Sequence, residues 1–311
     1  MSTTPSDLNA SAPGQGAGDT ASLQSKGARP VGRARRQKAD LPEFHTERSA
    51  IRAWFADLSD ALAAWPVWTR IAMMDISSRH RRFLLGMLWV PLGMAIFVFA
   101  LGYVYSYLRG HAYAEFTPYL AASMIFWTII HSSVTQGMSV FTSMGKHMAN
   151  VRLPFHYYVL KVAFENMYTA LLTSPVYIFC LLFFDVSVTT SVFLLFPALV
   201  IFIISSFSTL VFIGLLSLRF RDIKEPMSNF MRLMFLVTPV IWMVSQRAGS
   251  KRAAFVDYNP FYHYLEIARA PLLGYAPSMM NWIVSGSACL VLTLAASILM
   301  MRWRSKIHYW V

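Results

Sequence analysis

Along the first long apolar run, Arg82, Gly86, Trp89, Gly93, Ile96, Ala100, Tyr103 and Tyr107 fall on one seam, at alternating four- and three-residue steps. Aromatic faces pack well on the C–H faces of sugars, and the small residues between them leave room for such a ligand. The same pattern also suits close helix packing through Gly93 and Ala100, with the tyrosines at a membrane interface. In the second run, His131 sits among Thr128, Ser132, Ser133, Thr135, Gln136 and Ser139. Lipid cannot satisfy these groups, so the stripe faces either a wet pathway or another helix. Glu165 is the other main ionisable group in an apolar run. Lys161, one turn earlier, can pair with it, and Arg232 is a competing interhelical partner. No group that would convert energy is recognisable. Gly145–Lys146 lacks the preceding glycine of a phosphate-cradling G-x-x-x-x-G-K-[ST] loop, and no H-E-x-x-H zinc pattern occurs. A proton-coupled carrier needs more ionisable groups facing one another at mid-membrane. Energy is therefore expected from a partner chain, with no cofactor and no metal.

The elements that hold these residues follow from composition. Of the 311 residues 56% are hydrophobic and only 14% charged, against roughly a quarter charged in soluble domains. Six apolar runs, about 83–108, 118–140, 158–184, 192–218, 230–246 and 280–301, predict membrane spans. An all-α polytopic membrane protein is expected, with six spans over 83–311. The net charge of +12 lies mostly beside these spans, so topology explains it better than nucleic-acid binding. With six spans, 22 of the 27 Lys and Arg fall on one side, which predicts cytoplasmic termini. Residues 1–45, rich in Ser, Gly, Ala and Pro and then basic, are expected to be a disordered extension. They contain no apolar stretch of signal-peptide type, so the first span should act as its own insertion signal. Over 46–82 two amphipathic helices are expected in the interface plane. The first carries Ile51, Trp54, Phe55, Leu58, Leu62 and Trp65. The second starts at Pro66 and carries Trp68, Ile71 and Met74. Short apolar pieces broken by proline between the fifth and sixth spans predict a re-entrant or interfacial hairpin, with Asn259–Pro260 as a helix start. The loop Ser143–Lys161 is short and basic, and a brief helix within it would be interrupted at Pro154. A soluble motor would need a rigid handle of this kind, although a plain loop reads the same. Cys180 and Cys289 lie in apolar runs and form no disulfide framework.

Five segments in order resemble the permease subunits of polysaccharide ABC exporters, the proteins that export O-antigen, capsule and teichoic chains on lipid carriers. The first is Arg79-His80-Arg81-Arg82-Phe83-Leu84-Leu85-Gly86-Met87-Leu88-Trp89. It is similar to an R-[YH]-R-x-S/F-x-L-G-x-L-W opening, and departs at His80, where the family often has Tyr, and at Met87, where Pro is common. The others are Arg219 to Ile223, Thr238 to Trp242, Asn259 to His263 continuing to Arg269–Gly274, and the tail Arg302 to Val311. The resemblance runs from about Trp65 to the C-terminus.

This resemblance implies a homodimer of six-span subunits, in the bacterial inner membrane, served by two copies of a separate ATPase. It implies that the helix over 66–82 lies in the interface and that the Leu85–Gly86 turn sits by the cytoplasmic entrance. A lipid-pyrophosphate-linked glycan would enter there near Arg79, Arg81 and Arg82, whose cations suit a diphosphate; these arginines also serve positive-inside anchoring. The loop between the second and third spans would be the coupling helix, with Lys146, Arg152, Pro154 and Phe155 as candidates. The hairpin over 255–275 would be the periplasmic gate, with Asn259, Pro260, Phe261, Tyr262, Arg269 and Pro271. Trp89, Tyr103, Tyr107 and His131 are the candidates for lining the path. Rival readings are the same architecture exporting a drug or small lipid, and a membrane-bound glycosyltransferase. The latter would carry a cytoplasmic acidic metal motif, and none is recognisable.

Overall fold

Long apolar stretches with few helix breakers favour the helix, which satisfies its own backbone groups. The computed structural model describes residues 47–80, 84–109, 112–144, 154–244 and 256–310, and every regular element among them is helical. In chain order the helices are α1 (Glu47–Ala63), α2 (Trp65–His80), α3 (Trp89–Arg109), α4 (Tyr113–Met144), α5 (Phe155–Phe183), α6 (Leu195–Arg219), α7 (Lys224–Val237), α8 (Pro260–Leu272) and α9 (Met279–Trp310). Short 3₁₀ turns at Gly86–Leu88, Thr190–Leu194 and Arg221–Ile223 lead into α3, α6 and α7.

Four segments are long and apolar enough to cross a membrane: Gly86–Leu108, Phe155–Phe183, Thr190–Arg219 and Met279–Arg304. They match the expected first, third, fourth and sixth spans. α4 has 32 residues, about 48 Å of helix, so its length suffices, but its Ser, Thr, His and Gln leave it less apolar than the four. The expected fifth span, 230–246, is not one continuous helix. α7 has 14 residues and stops at Val237, about 21 Å, short of a ~30 Å hydrocarbon core. Pro239 explains the stop, because a residue before proline avoids helical geometry. Thr238 accordingly sits at φ −75° and ψ 137°.

α4 is the hub, packed on α3, α5 and α6, while α6 packs in turn on α9. Gly214 allows the α4–α6 approach, since a Cβ there would lie 2.7 Å from a Val140 methyl and 2.8 Å from the Phe141 ring. The helices share two ends. The near end holds α1, α2 and the start of α5; the far end holds α8 and the start of α4. A near-end core joins Phe141, Tyr157, Leu210 and Met300, and a far-end core joins Phe116, Leu120, Phe202 and Leu265.

The faces of α1 and α2 divide as follows. Asp57 and Ala61 are buried on α1, and Ala72 and Ile76 on α2. Phe55, Leu62, Trp65, Ile71 and Met74 are exposed. Both helices pack on α5; Trp54 and Trp68 join the buried residues against the near-end core, and the exposed apolar side chains face away from it.

Candidate functional site

At the far end, α8 starts where the Asn–Pro pair predicts. The Asn259 Oδ1 accepts from the Phe261 N–H at 3.0 Å, and its Nδ2 donates to Thr238 Oγ1 at 2.9 Å, tying the helix start to the end of α7. Helical spacing puts Tyr262, Glu266 and Arg269 on one face. Arg269 is 1% exposed and carries a full set of partners. Its guanidinium pairs with Glu266, and it also donates to Ser123 Oγ at 3.0 Å and to the Pro239 carbonyl at 2.6 Å. It lies 4.2 Å from the centroid of the Tyr119 ring, and the Tyr119 hydroxyl donates to the same Pro239 carbonyl at 2.8 Å. The Tyr275 hydroxyl donates to Glu266 Oε1 at 3.1 Å. One buried cation therefore pins α8 to α4 and to the turn that ends α7. A cavity of about 580 Å³ opens beside it, lined in part by Glu115, Tyr119, Asp185, Ser187, Tyr262 and Tyr275.

Of the candidates in this region, Tyr262 and Arg269 line the cavity. Asn259 and Pro260 form the helix start, and Phe261 packs its ring edge-on near Trp127, at 6.1 Å. Pro271 lies in the last turn of α8, and Gly274 follows with φ +88°. A Cβ at Gly274 would strike the Ser187 carbonyl. Tyr119, Ser123, Glu266 and Tyr275 were not singled out from sequence. Only the i,i+3 spacing of Glu266 and Arg269 was a visible signal.

At the near end, Glu165 is 2% exposed and takes two cations, Lys161 at 3.3 Å and Arg79 at 3.0 Å. Lys161 also pairs with Asp75. Glu165 thus turns to Lys161 and to α2, and not to Arg232. Arg79, a candidate for holding diphosphate, is engaged with this carboxylate, although its side chain stays 58% exposed. A second brace joins three helices. Asp57 of α1 meets the imidazole of His156 at the start of α5 and Arg304 of α9, the latter at 3.2 Å. Burial pushes the Asp57 carboxyl up, but the His156 hydrogen bond and the charges of His156 and Arg304 outweigh it, so its pKa lies below the ordinary value. Pro154 caps α5 and Phe155 is buried in its first turn. Leu85 is exposed and Gly86 has φ +54°. Arg81, Arg82, Lys146, Arg152 and the extension 1–45 lie outside the described residues.

Between the ends, α3 leaves its seam open. Trp89, Tyr103 and Tyr107 are 45%, 68% and 84% exposed, and a Cβ at Gly93 would meet nothing within 4 Å. On α4 the polar stripe divides. Ser133 is buried against Ser206 of α6 at 2.7 Å and receives Asn166 of α5 at 3.4 Å, so this side bonds helix to helix. His131, Ser139 and Thr142 point the other way and are exposed.

A helical bundle with four membrane-length apolar helices defines a multi-pass membrane protein. Over 192 residues it is 22% identical to the "O-antigen export system permease protein RfbA" of Myxococcus xanthus, covering 61% of this chain and 74% of that one. This distant homologue bears out the resemblance carried by the five segments. No family profile matches the chain.

Proposed function

We propose that this chain is the membrane-spanning permease subunit of an ATP-driven exporter. It moves a lipid-linked polysaccharide, such as O-antigen or capsule, across the bacterial inner membrane. The observation that carries the reading is the open wall of α3 and α4. The exposed imidazole of His131 on α4 and the exposed Trp89, Tyr103 and Tyr107 on α3 suit a polar path better than lipid, which offers an imidazole no hydrogen-bond partner. A second copy presenting the same wall would enclose a path that is polar and aromatic, as a hydroxylated polymer needs. The relative named for O-antigen export supports this substrate class.

In this reading both termini are cytoplasmic. α4 crosses the membrane as a further span, and α7 with the turn at Pro239 forms the fifth. α8 and the turn after it form the re-entrant hairpin that gates the periplasmic side. Two copies of a separate ATPase act on the segment 143–157, and the lipid-linked glycan enters beside Arg79, Leu85 and Gly86.

The test is Tyr103→Ala. The side chain is 68% exposed and alanine is the best helix former, so protein level and ATPase binding should hold while glycan export slows. Normal export by both Tyr103→Ala and Tyr107→Ala, together with harmless bulky thiol modification of Tyr103→Cys, would refute the path.

A further inference from the structure

Resting on the export reading, we infer that the far-end cavity beside Arg269 is a sugar subsite, which takes a neutral polyhydroxyl segment of the glycan as it leaves the membrane.

The lining selects this ligand by elimination. An anion such as phosphate would need a free cation, and among the described lining residues the one cation, the Arg269 guanidinium, is committed to Glu266, Ser123 and the Pro239 carbonyl. A metal ion would need clustered ligands, and no group of three His, Cys, Asp or Glu stands close enough among the described residues. A purely apolar occupant would leave carboxylates facing it: Glu115 and Asp185 both line the cavity. Neither carboxylate has a hydrogen-bond or ionic partner among the described residues. Free carboxylates accept hydrogen bonds from hydroxyl groups, and charge-assisted bonds of this kind are the stronger ones.

Rings supply the other half of sugar recognition. The Tyr275 hydroxyl is held by Glu266 Oε1 at 3.1 Å while the side chain stays 45% exposed. That fixes the ring and leaves a face for the C–H side of a pyranose. Tyr262, one helical turn before Glu266, offers a second ring on the same wall. The volume of about 580 Å³ falls within the ~300–1,000 Å³ of small-ligand sites. The rigid clamp beneath means that little ordering is left for the ligand to impose.

The test places a photoreactive benzoylphenylalanine at Tyr262 or Tyr275 of the full chain, expressed with its ATPase in cells making the glycan. Leu290, which is 61% exposed on α9, serves as the control position. Illumination should attach glycan to the chain at 262 and 275 and not at 290. Combining Glu115→Gln with Asp185→Asn should cut the yield at 275 at least threefold. Absence of adduct at 262 and 275 in cells that export normally overturns the subsite and leaves the export reading standing. A phospholipid adduct in place of glycan overturns it as well. If removing the chain leaves glycan export unchanged, the export reading fails and the subsite falls with it.

Discussion

Replacing Arg269 by methionine would leave a carboxylate stranded. Methionine keeps much of the side-chain length and its apolar stem, but it removes the pair with Glu266, the hydrogen bonds to Ser123 and the Pro239 carbonyl, and the charge over the Tyr119 ring. Breaking a buried pair from one side costs ~3–5 kcal/mol, because the remaining charge is uncompensated. The lost cation–π contact adds ~0.5–2 kcal/mol. Arg269→Met should therefore be destabilised by about 3.5–7 kcal/mol. The double variant Arg269→Met with Glu266→Gln removes the stranded charge and should recover more than half of that loss. The assay is unfolding of the purified protein in mixed micelles, titrated with a denaturing detergent and read by circular dichroism. A single variant as stable as the parent would show that the pair is not buried. A double variant no better than the single would assign the energy to the Ser123, Pro239 and Tyr119 contacts, refuting the argument from charge.

Gly274→Ala, with φ +88° and the Ser187 carbonyl in the way, should cost more than the ~1–3 kcal/mol of a left-handed backbone position. Gly286→Ala, where a Cβ meets nothing within 4 Å, should be neutral or stabilising by up to ~1 kcal/mol; thermostability of the two purified variants checks both. Asp57→Asn should lower stability at neutral pH. Because folding depresses the Asp57 pKa, its contribution is full above the ordinary carboxylate value of about 4 and is lost as pH falls further. The gap between parent and variant should thus stay open to about pH 4 and narrow below it, and closure between pH 5 and 7 would contradict the assignment. An impermeant thiol reagent applied from outside should label Val188→Cys and spare Glu225→Cys; the reverse pattern would invert the orientation.

Much of the bundle was legible because apolar runs and helix caps act locally. The Asn259–Pro260 start and four of the spans all follow from neighbours within a few positions. The pairing of Lys161 with Glu165 was equally local. The helix break in the fifth apolar run was missed because hydropathy ran on past Val237, whereas the backbone preference set by Pro239 ended the helix. For α1 and α2 the pattern was legible only as a grouping. A helical pattern says which residues share a side, but not whether that side turns to protein or to the membrane. Around Arg269, the partners Ser123 and Pro239 lie 146 and 30 positions away. No periodicity reports such contacts. The division of the α4 stripe was likewise hidden, because only the positions of Ser206 and Asn166 decide which hydroxyl groups are already bonded.

The brace at Asp57 draws its three members from the first helix, the fifth and the last, with Arg304 lying 247 positions after Asp57. A ribosome delivers these groups at very different times. Asp57 and His156 can meet once α5 is made, but Arg304 arrives only with α9. Until then Asp57 has its His156 contact but lacks Arg304. Completion of the last helix is therefore what fastens the first. A chain cut short before Arg304 lacks this closing contact.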